Sequence, residues 1–339
     1  MSDQRRATSD LRPTTSDLRL PLVSVIASCY NHSRFAVECL ESIRQQTYTN
    51  MQLIIIDDCS RDDSVAVIKR WIAAHNVQCT LLTHAKNQGV CRSFNEALSH
   101  ATGDYVAITS VDDVWMPRKL EEQVKVLESL PPEYGVVYSD AEQIDEQGKP
   151  LPKRYMETFR AFDALPTGDV FDELWRGNWL ATMAMLMRRA CFETVGYYDE
   201  SLSLEDYDMW LRLARRYKFA YSPYVSCTYR IVSTSLIRTL GVRLVESNIL
   251  VHLKWYGERP ERDRQIEDYV LSNLQMLYKQ GHAGRNRCFR RAAATIRLPR
   301  LRLMAACSIA GVPYRGFLGI EELAETVGRR WQRLARGVA

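Results

Sequence analysis

The chain has 339 residues, 46% apolar and 25% charged, with a formal net charge of +4. This fits one large globular domain or one domain with an extension, and the net charge is too small to argue for a nucleic-acid partner. Nine cysteines form no CxxC pair, no 18-residue uncharged apolar run occurs and MSDQRRATSD has no apolar secretory core, so a cytoplasmic protein with reduced thiols and no membrane span is expected.

Residues 1–20 hold a near-duplicate, ATSDLRP then TTSDLRL. Two polar heptapeptides cannot bury a core, so a disordered tail is expected. LVSVIAS then reads as a strand, and SRFAVECLESIRQQTY as a helix with Phe35, Cys39, Leu40 and Ile43 on one face. LIIID (53–57), a helix around SVAVIKRWIAAH, TLLT (80–83), a helix around SFNEALSHA, and YVAIT (105–109) follow. RKLEEQVKVLESL reads as a further helix and GVVYSD (135–140) as a further strand. Strands alternating with amphipathic helices predict βαβ units and a mostly parallel sheet. Turn signals at Pro152, Pro166 and Gly168 loosen the pattern between about 150 and 200, and EDYDMWLRLARRY (205–217) is again helical. Beyond about 240 the chain reads as Arg-rich helices with a break near Pro299. Residues 285–339 hold 12 Arg, no Lys and 3 Glu, a charge of +9, so everything before them carries −5.

Open α/β sheets bind ligands at the carboxyl ends of their strands. No GxG pair and no GKS or GKT occurs, which supports neither a dinucleotide fingerprint nor a P-loop. A diphosphate held without such a loop needs a metal ion, and a metal ion needs carboxylates. Three strand ends supply suitable groups: Tyr30 in SCYN, Asp57 and Asp58 in DDCSRDDS, and Asp112 and Asp113 in SVDDVW. A ring can stack on a base, and a carboxylate can accept from a base or ribose or bind a cation. Each also has an ordinary reading. Tyr30 can be a rim aromatic, Asp57 and Asp58 turn residues, and Asp113 a helix-start residue with Pro117 in the first helical position. The Glu205–Asp206 pair before its helix likewise reads as helix-dipole complement or as a catalytic acid pair.

VSVIASCYNHSRFAVECLESIRQQTYTNMQLIIIDDCSRDDS, then KNQGVCRSFNEALSHATGDYVAITSVDDVWMPRKLEEQV, resembles the family 2 glycosyltransferases of GT-A fold. The resemblance is dense over 21–145 and thinner through GNWLATMAMLMRRACFETVGYYDESLSLEDYDMWLRLARRY to about 235. It implies inverting sugar transfer from a nucleotide diphosphate sugar, with 21–145 as the nucleotide-binding half, 146–238 as the acceptor half and 239–339 as a helical extension. It implies base contacts from Tyr30 and Asp58, donor contacts from Ser28, Asn87 and Arg92, and a ribose and sugar contact from Asp112. It further implies Mg²⁺ or Mn²⁺ on Asp113, and a general base from the Glu205–Asp206 pair, with Asp206 favoured. Two departures stand out: Cys59 replaces a frequent glycine, and Val232 follows YRI where many relatives carry a histidine, so no histidine ligand is expected there.

The alternative is a catalytically silent GT-A-like binding or scaffold protein. A nucleotidyltransferase would need a glycine-rich basic loop after the first strand, which SCYNHSRF does not supply. The resemblance points to a cell-surface polysaccharide or other glycan as product and to a glycan or lipid-linked acceptor. The segments CFRRAAATIRLPRLRLMAACSIAG and VGRRWQRLARGVA mix Arg with apolar residues, which suits either an anionic membrane surface or a helical cap on the catalytic domain.

Overall fold

A computed structural model describes residues 20–159, 164–233 and 235–337, so the expected disordered tail lies, Leu20 apart, outside the described residues. Strands β1 (Val23–Cys29), β2 (Met51–Asp57), β3 (Cys79–Thr83) and β4 (Tyr105–Ser110) are joined by helices α1 (Ala36–Arg44), α2 (Ser64–His75) and α3 (Val90–Ser99). All three pairings, β3 with β2, β2 with β1 and β1 with β4, are parallel. The chain continues through β5 (Val114–Trp115), α4 (Lys119–Glu128), β6 (Tyr134–Tyr138), β7 (Ala141–Ile144) and α5 (Phe171–Trp175). Then come β8 (Met185–Arg188), α6 (Ala190–Val195), α7 (Asp206–Ala214), β9 (Lys218–Tyr221) and β10 (Cys227–Arg230). Helices α8 (Leu236–Leu240), α9 (Val242–Leu253), α10 (Pro260–Lys279), α11 (Arg285–Thr295), α12 (Pro299–Ile309) and α13 (Tyr314–Gly337) follow.

The main sheet runs β3-β2-β1-β4-β8-β6-β9, with β8 antiparallel to both its neighbours and β6 parallel to β9. A second sheet, β5-β10-β7, stands beside the carboxyl end of β4. The side-chain period of two divides the core into two layers. Val23, Val25, Ala27, Ile55, Tyr105 and Ala107 pack with Leu40, Ile43, Ile68, Trp71, Leu120 and Leu127 of α1, α2 and α4. Ile26, Ile54, Ile56, Val106 and Ile108 point the other way, into a layer with Phe94 and Leu98 of α3. That layer runs on through Ile249, Ile266, Leu274, Phe289, Leu301 and Phe317, so the apolar faces of the later helices are buried in it. Helix breaks follow the sequence: α2 ends at Asn76 with φ 47°, and Pro299 opens α12 in the first turn.

One local reading is corrected. Helix α4 begins at Lys119, two residues after Pro117, and no side chain caps it. The Pro117 carbonyl instead accepts the Thr47 N–H at 2.9 Å, and Asp113 is left free of the helix.

Candidate active site

The parallel register puts the three strand ends in a row. Cys29 pairs with Asp57 and Ser28 with Ser110. Beyond the ladder, Asp58 donates its N–H to the Cys29 carbonyl at 3.0 Å and Val111 to that of Ser28 at 2.9 Å. Tyr30, 41% exposed, stands on the rim of this edge. Asn31 adopts φ 58°, and its side-chain carbonyl accepts the Arg61 N–H at 2.7 Å, while its own N–H donates to Ser60 Oγ at 2.8 Å. The loops after β1 and β2 are thereby knitted into one rigid wall.

Asp57 and Asp58 divide. Asp57 accepts both the backbone N–H (2.8 Å) and the hydroxyl of Ser60, so its carboxylate is used in the turn. Asp58 accepts the backbone N–H groups of Gln88 (2.7 Å) and Gly89 (2.8 Å), fastening the loop that starts α3. Asn87 donates to the Asp58 carbonyl at 3.1 Å, so these two predicted residues lie together. His84, not singled out from the sequence, sits between Asp58 (2.7 Å) and Glu96 (2.9 Å). Burial lowers its pKa, but the two carboxylates outweigh burial and hold it above the ordinary value. Arg92 lies on the exposed side of α3 and meets Glu200 at 4.0 Å.

Asp112 and Asp113 are both buried at the end of β4. Burial, then the Asp112 charge, pushes the Asp113 carboxyl well above the usual carboxylate range. The residue that shapes this corner is Arg230 at the end of β10. Its backbone N–H donates to Asp113 Oδ1 at 3.0 Å and its Nε to the Asp112 carbonyl at 3.0 Å. Its guanidinium also reaches Glu38 at 2.6 Å and lies 4.7 Å from the Phe35 ring centre. The antiparallel register, Cys227 with Trp115 and Thr228 with Val114, carries Arg230 over the acid pair. Val232 is buried close by, so no histidine occupies that place.

Asp112 Oδ1 is buried and has no hydrogen-bond partner. With two adjacent buried carboxylates and the Arg230 guanidinium turned to Glu38 and backbone carbonyls, the corner suits a divalent cation. Among the described residues no three His, Cys, Asp or Glu side chains converge on one point. A cation here would take its remaining ligands from phosphate oxygens and water, as magnesium-type sites commonly do.

The second acid pair begins α7. Asp206 accepts the Tyr207 N–H at 2.6 Å and the Asn178 side-chain amide at 2.8 Å. Glu205 makes no side-chain cap, and its Oε2 is buried without a partner. Burial raises both carboxyls; for Asp206 the Tyr207 and Asn178 donors offset part of the rise, whereas for Glu205 the Asp206 charge adds to it. Tyr155 and Tyr229, rings in edge contact at 5.2 Å, link the two acid pairs, since both feel the charges of Asp113 and Asp206. Asn178, Tyr155, Tyr229 and Arg230 went unselected from the sequence. Only Tyr229 and Arg230 carried any signal there, as the YR pair before Val232.

The fold has close counterparts. A mannosyltransferase from Pyrobaculum calidifontis, PcManGT, solved with GDP-Man and Mn²⁺, superposes with a TM-score of 0.54 at 21% identity, covering 92% of this chain and 88% of its own. S. aureus TarS 1-349 with UDP-GlcNAc gives 0.57 at 15% identity, over 90% and 91%. The family model for Glycosyl transferase family 2 matches residues 24–193, and the chain belongs to that family. Among curated relatives, the putative glycosyltransferase EpsE of Bacillus subtilis (strain 168) is 33% identical over 195 residues, 57% of this chain and 66% of EpsE. The amylovoran biosynthesis glycosyltransferase AmsE of Erwinia amylovora is 30% identical over 197 residues, 57% of this chain and 69% of AmsE. The match spans under two thirds of several relatives, 32% in the case of a Rickettsia felis glycosyltransferase.

Proposed function

We propose that this protein transfers a sugar from a nucleoside diphosphate sugar to an acceptor hydroxyl, with inversion at the anomeric carbon, during assembly of a polysaccharide or other cell-surface glycan. The observation that carries the reading is the presence of two acid pairs, the buried Asp112–Asp113 and the half-buried Glu205–Asp206, on either side of the contacting rings of Tyr155 and Tyr229. One pair serves the departing diphosphate and the other the incoming hydroxyl, which is what a single displacement at one carbon requires. The GDP-Man and UDP-GlcNAc bound by structural neighbours, and the polysaccharide named for AmsE, support the substrate class.

In this reading Tyr30 stacks on the base beside Asp58 and Asn87, Ser28 and Arg92 contact the donor, and Asp112 takes the ribose and sugar. Asp113 would hold Mg²⁺ or Mn²⁺. The cation supplies positive charge where the diphosphate develops its negative charge. Asp206 takes the proton from the acceptor hydroxyl as its oxygen bonds to the anomeric carbon, and the carbon–oxygen bond to the diphosphate breaks with its electron pair. The choice of Asp206 follows from its donors. Two half-buried carboxyls side by side do not both ionise, and the one holding two hydrogen-bond donors keeps the negative charge. Glu205 then carries the proton. We further infer action at the cytoplasmic face, in keeping with nine free thiols and with no described helix long and apolar enough to cross a membrane.

The test is incubation with UDP- and GDP-sugars and Mn²⁺, following nucleotide release and the anomeric configuration of the product by NMR. Asp206→Asn should lower kcat by on the order of 10²–10⁴-fold with nucleotide affinity retained. Asp113→Asn should lose divalent-dependent turnover while its circular dichroism stays native. Full activity of either variant, or turnover undiminished in chelator, would sink the corresponding role.

A further inference from the structure

His32 belongs to the loop after β1 and has no part in the chemistry above. Its backbone is fixed on both sides. The N–H donates to Ser64 Oγ at 3.0 Å, and the carbonyl accepts from Phe35 (3.0 Å) and Ala36 (3.1 Å). The neighbouring Ser33 N–H donates to Asp62 at 2.9 Å, and the His32 ring meets Phe35 edge-on at 6.2 Å. The imidazole is therefore aimed by the fold. It is aimed at Asp112, with Nδ1 3.6 Å from Oδ1, too far for a hydrogen bond. Both atoms are buried and neither has any other partner.

Two facing, buried, unpartnered polar atoms 3.6 Å apart can both be reached by one group placed beside the gap, and their chemistry narrows what that group is. A hydroxyl donates to the carboxylate and accepts from an Nδ1–H, satisfying both at once. A phosphate oxygen would meet the Asp112 charge. The cation is assigned to Asp113 with phosphate and water as its other ligands, which leaves Asp112 Oδ1 and the facing His32 Nδ1 to a neutral group of the donor. The pair stands between the ends of β1 and β4, one residue before Asp113.

We propose that His32 and Asp112 together clamp a ribose hydroxyl of the donor nucleotide, making His32 a donor-binding residue; this rests on the reading of the crevice as a nucleotide-sugar site. The assignment predicts a loss of affinity that depends on the hydroxyl itself.

The experiment is calorimetric titration of the whole chain, with Mn²⁺ present, using UDP, GDP and their 2′-deoxy and 3′-deoxy forms. His32→Ala should weaken the parent nucleotide about tenfold, the usual worth of one hydrogen bond to a buried partner. It should cost nothing further against the deoxy form that lacks the clamped hydroxyl, which is the signature of coupling between the two groups. His32→Asn, which keeps a side-chain donor near the Nδ1 position, should recover part of the loss. Equal losses against ribose and deoxy forms would mean that His32 only shapes the loop, and unchanged affinity would remove it from the site; either overturns the proposal. If UDP and GDP fail to bind the unaltered chain, the nucleotide reading falls first and this inference with it.

Discussion

At the scale of single residues, the two acid pairs are held in different ways, the first buried and the second half-buried. Asp113 is tied to Arg230, Asp206 is held by Asn178 and Tyr207, and Glu205 has nothing on Oε2. This asymmetry has a measurable consequence. Burial, then the Asp206 charge, pushes the Glu205 carboxyl up to about 8. The folded chain thus keeps a proton that the unfolded chain releases above about pH 4.3. Bound protons are then more numerous in the folded state between those values, so the contribution of Glu205 to stability falls as pH rises from about 4.3 to 8. Glu205→Gln removes that dependence. Its melting temperature should exceed that of the unaltered chain by more at pH 8 than at about pH 5, with kcat kept within tenfold. An equal or opposite shift at the two pH values would show that Glu205 is ionised in the fold. Both acid pairs were legible in the sequence, Asp112–Asp113 because it follows an apolar run and Glu205–Asp206 because it precedes an apolar-faced helix. His32 and Arg230 were not. Their partners lie far off in the chain, 118 residues away for Arg230 and the Asp112 carbonyl, and one histidine in a loop or one arginine in a short strand has no local pattern.

At the scale of elements, the strands that the sequence announced are those of the parallel half, where burial on both faces produces the apolar runs VSVIASC, MQLIIID and YVAITS. The strands it concealed, β5, β7, β8, β9 and β10, have two to four residues each, too few for a period of two to register. Yet β5 and β10 set the geometry of the site, since their pairing brings Arg230 across to Asp112, Asp113 and Glu38. Arg230→Met keeps the backbone bond to Asp113 but abandons those to the Asp112 carbonyl and to Glu38. Glu38 is largely exposed, so its share is screened, and the expected cost is about 2 kcal/mol. Urea denaturation should show that loss, together with weaker Mn²⁺-dependent nucleotide binding as the acid pair loosens. A variant as stable as the parent would mean that β10 positions the acids through its backbone alone.

At the scale of the whole molecule, the Arg-rich region is resolved into two populations of side chain. Its apolar residues Cys288, Phe289, Ala292, Ile296, Leu301, Met304 and Phe317 are buried in the layer behind the sheet, which is the packing expected of a helical cap. Several arginines are tied internally: Arg300 to Glu321 at 2.6 Å, Arg285 to Ser308 at 3.1 Å, and Arg287 to the Ser201 carbonyl at 2.5 Å. Arg290, Arg291, Arg297, Arg302 and Arg315 remain exposed, and α13 adds exposed Leu318, Ile320 and Leu323. Exposed arginines together with exposed apolar residues on the same group of helices suit the headgroup region of an anionic bilayer, where each cation near the surface contributes about 1 kcal/mol. These arginines are expected to hold the chain to anionic lipid. Deleting residues 285–339 is a poor test because it would uncover the core. Reversing exposed charges is a better one. The whole chain should sediment with phosphatidylserine-containing vesicles and not with phosphatidylcholine alone. Added salt should weaken the association, and the triple variant Arg290→Glu, Arg291→Glu, Arg297→Glu should abolish it while its circular dichroism and melting temperature stay native. Sedimentation that ignores lipid charge, or that survives the triple reversal, would leave the region as a cap on the catalytic half.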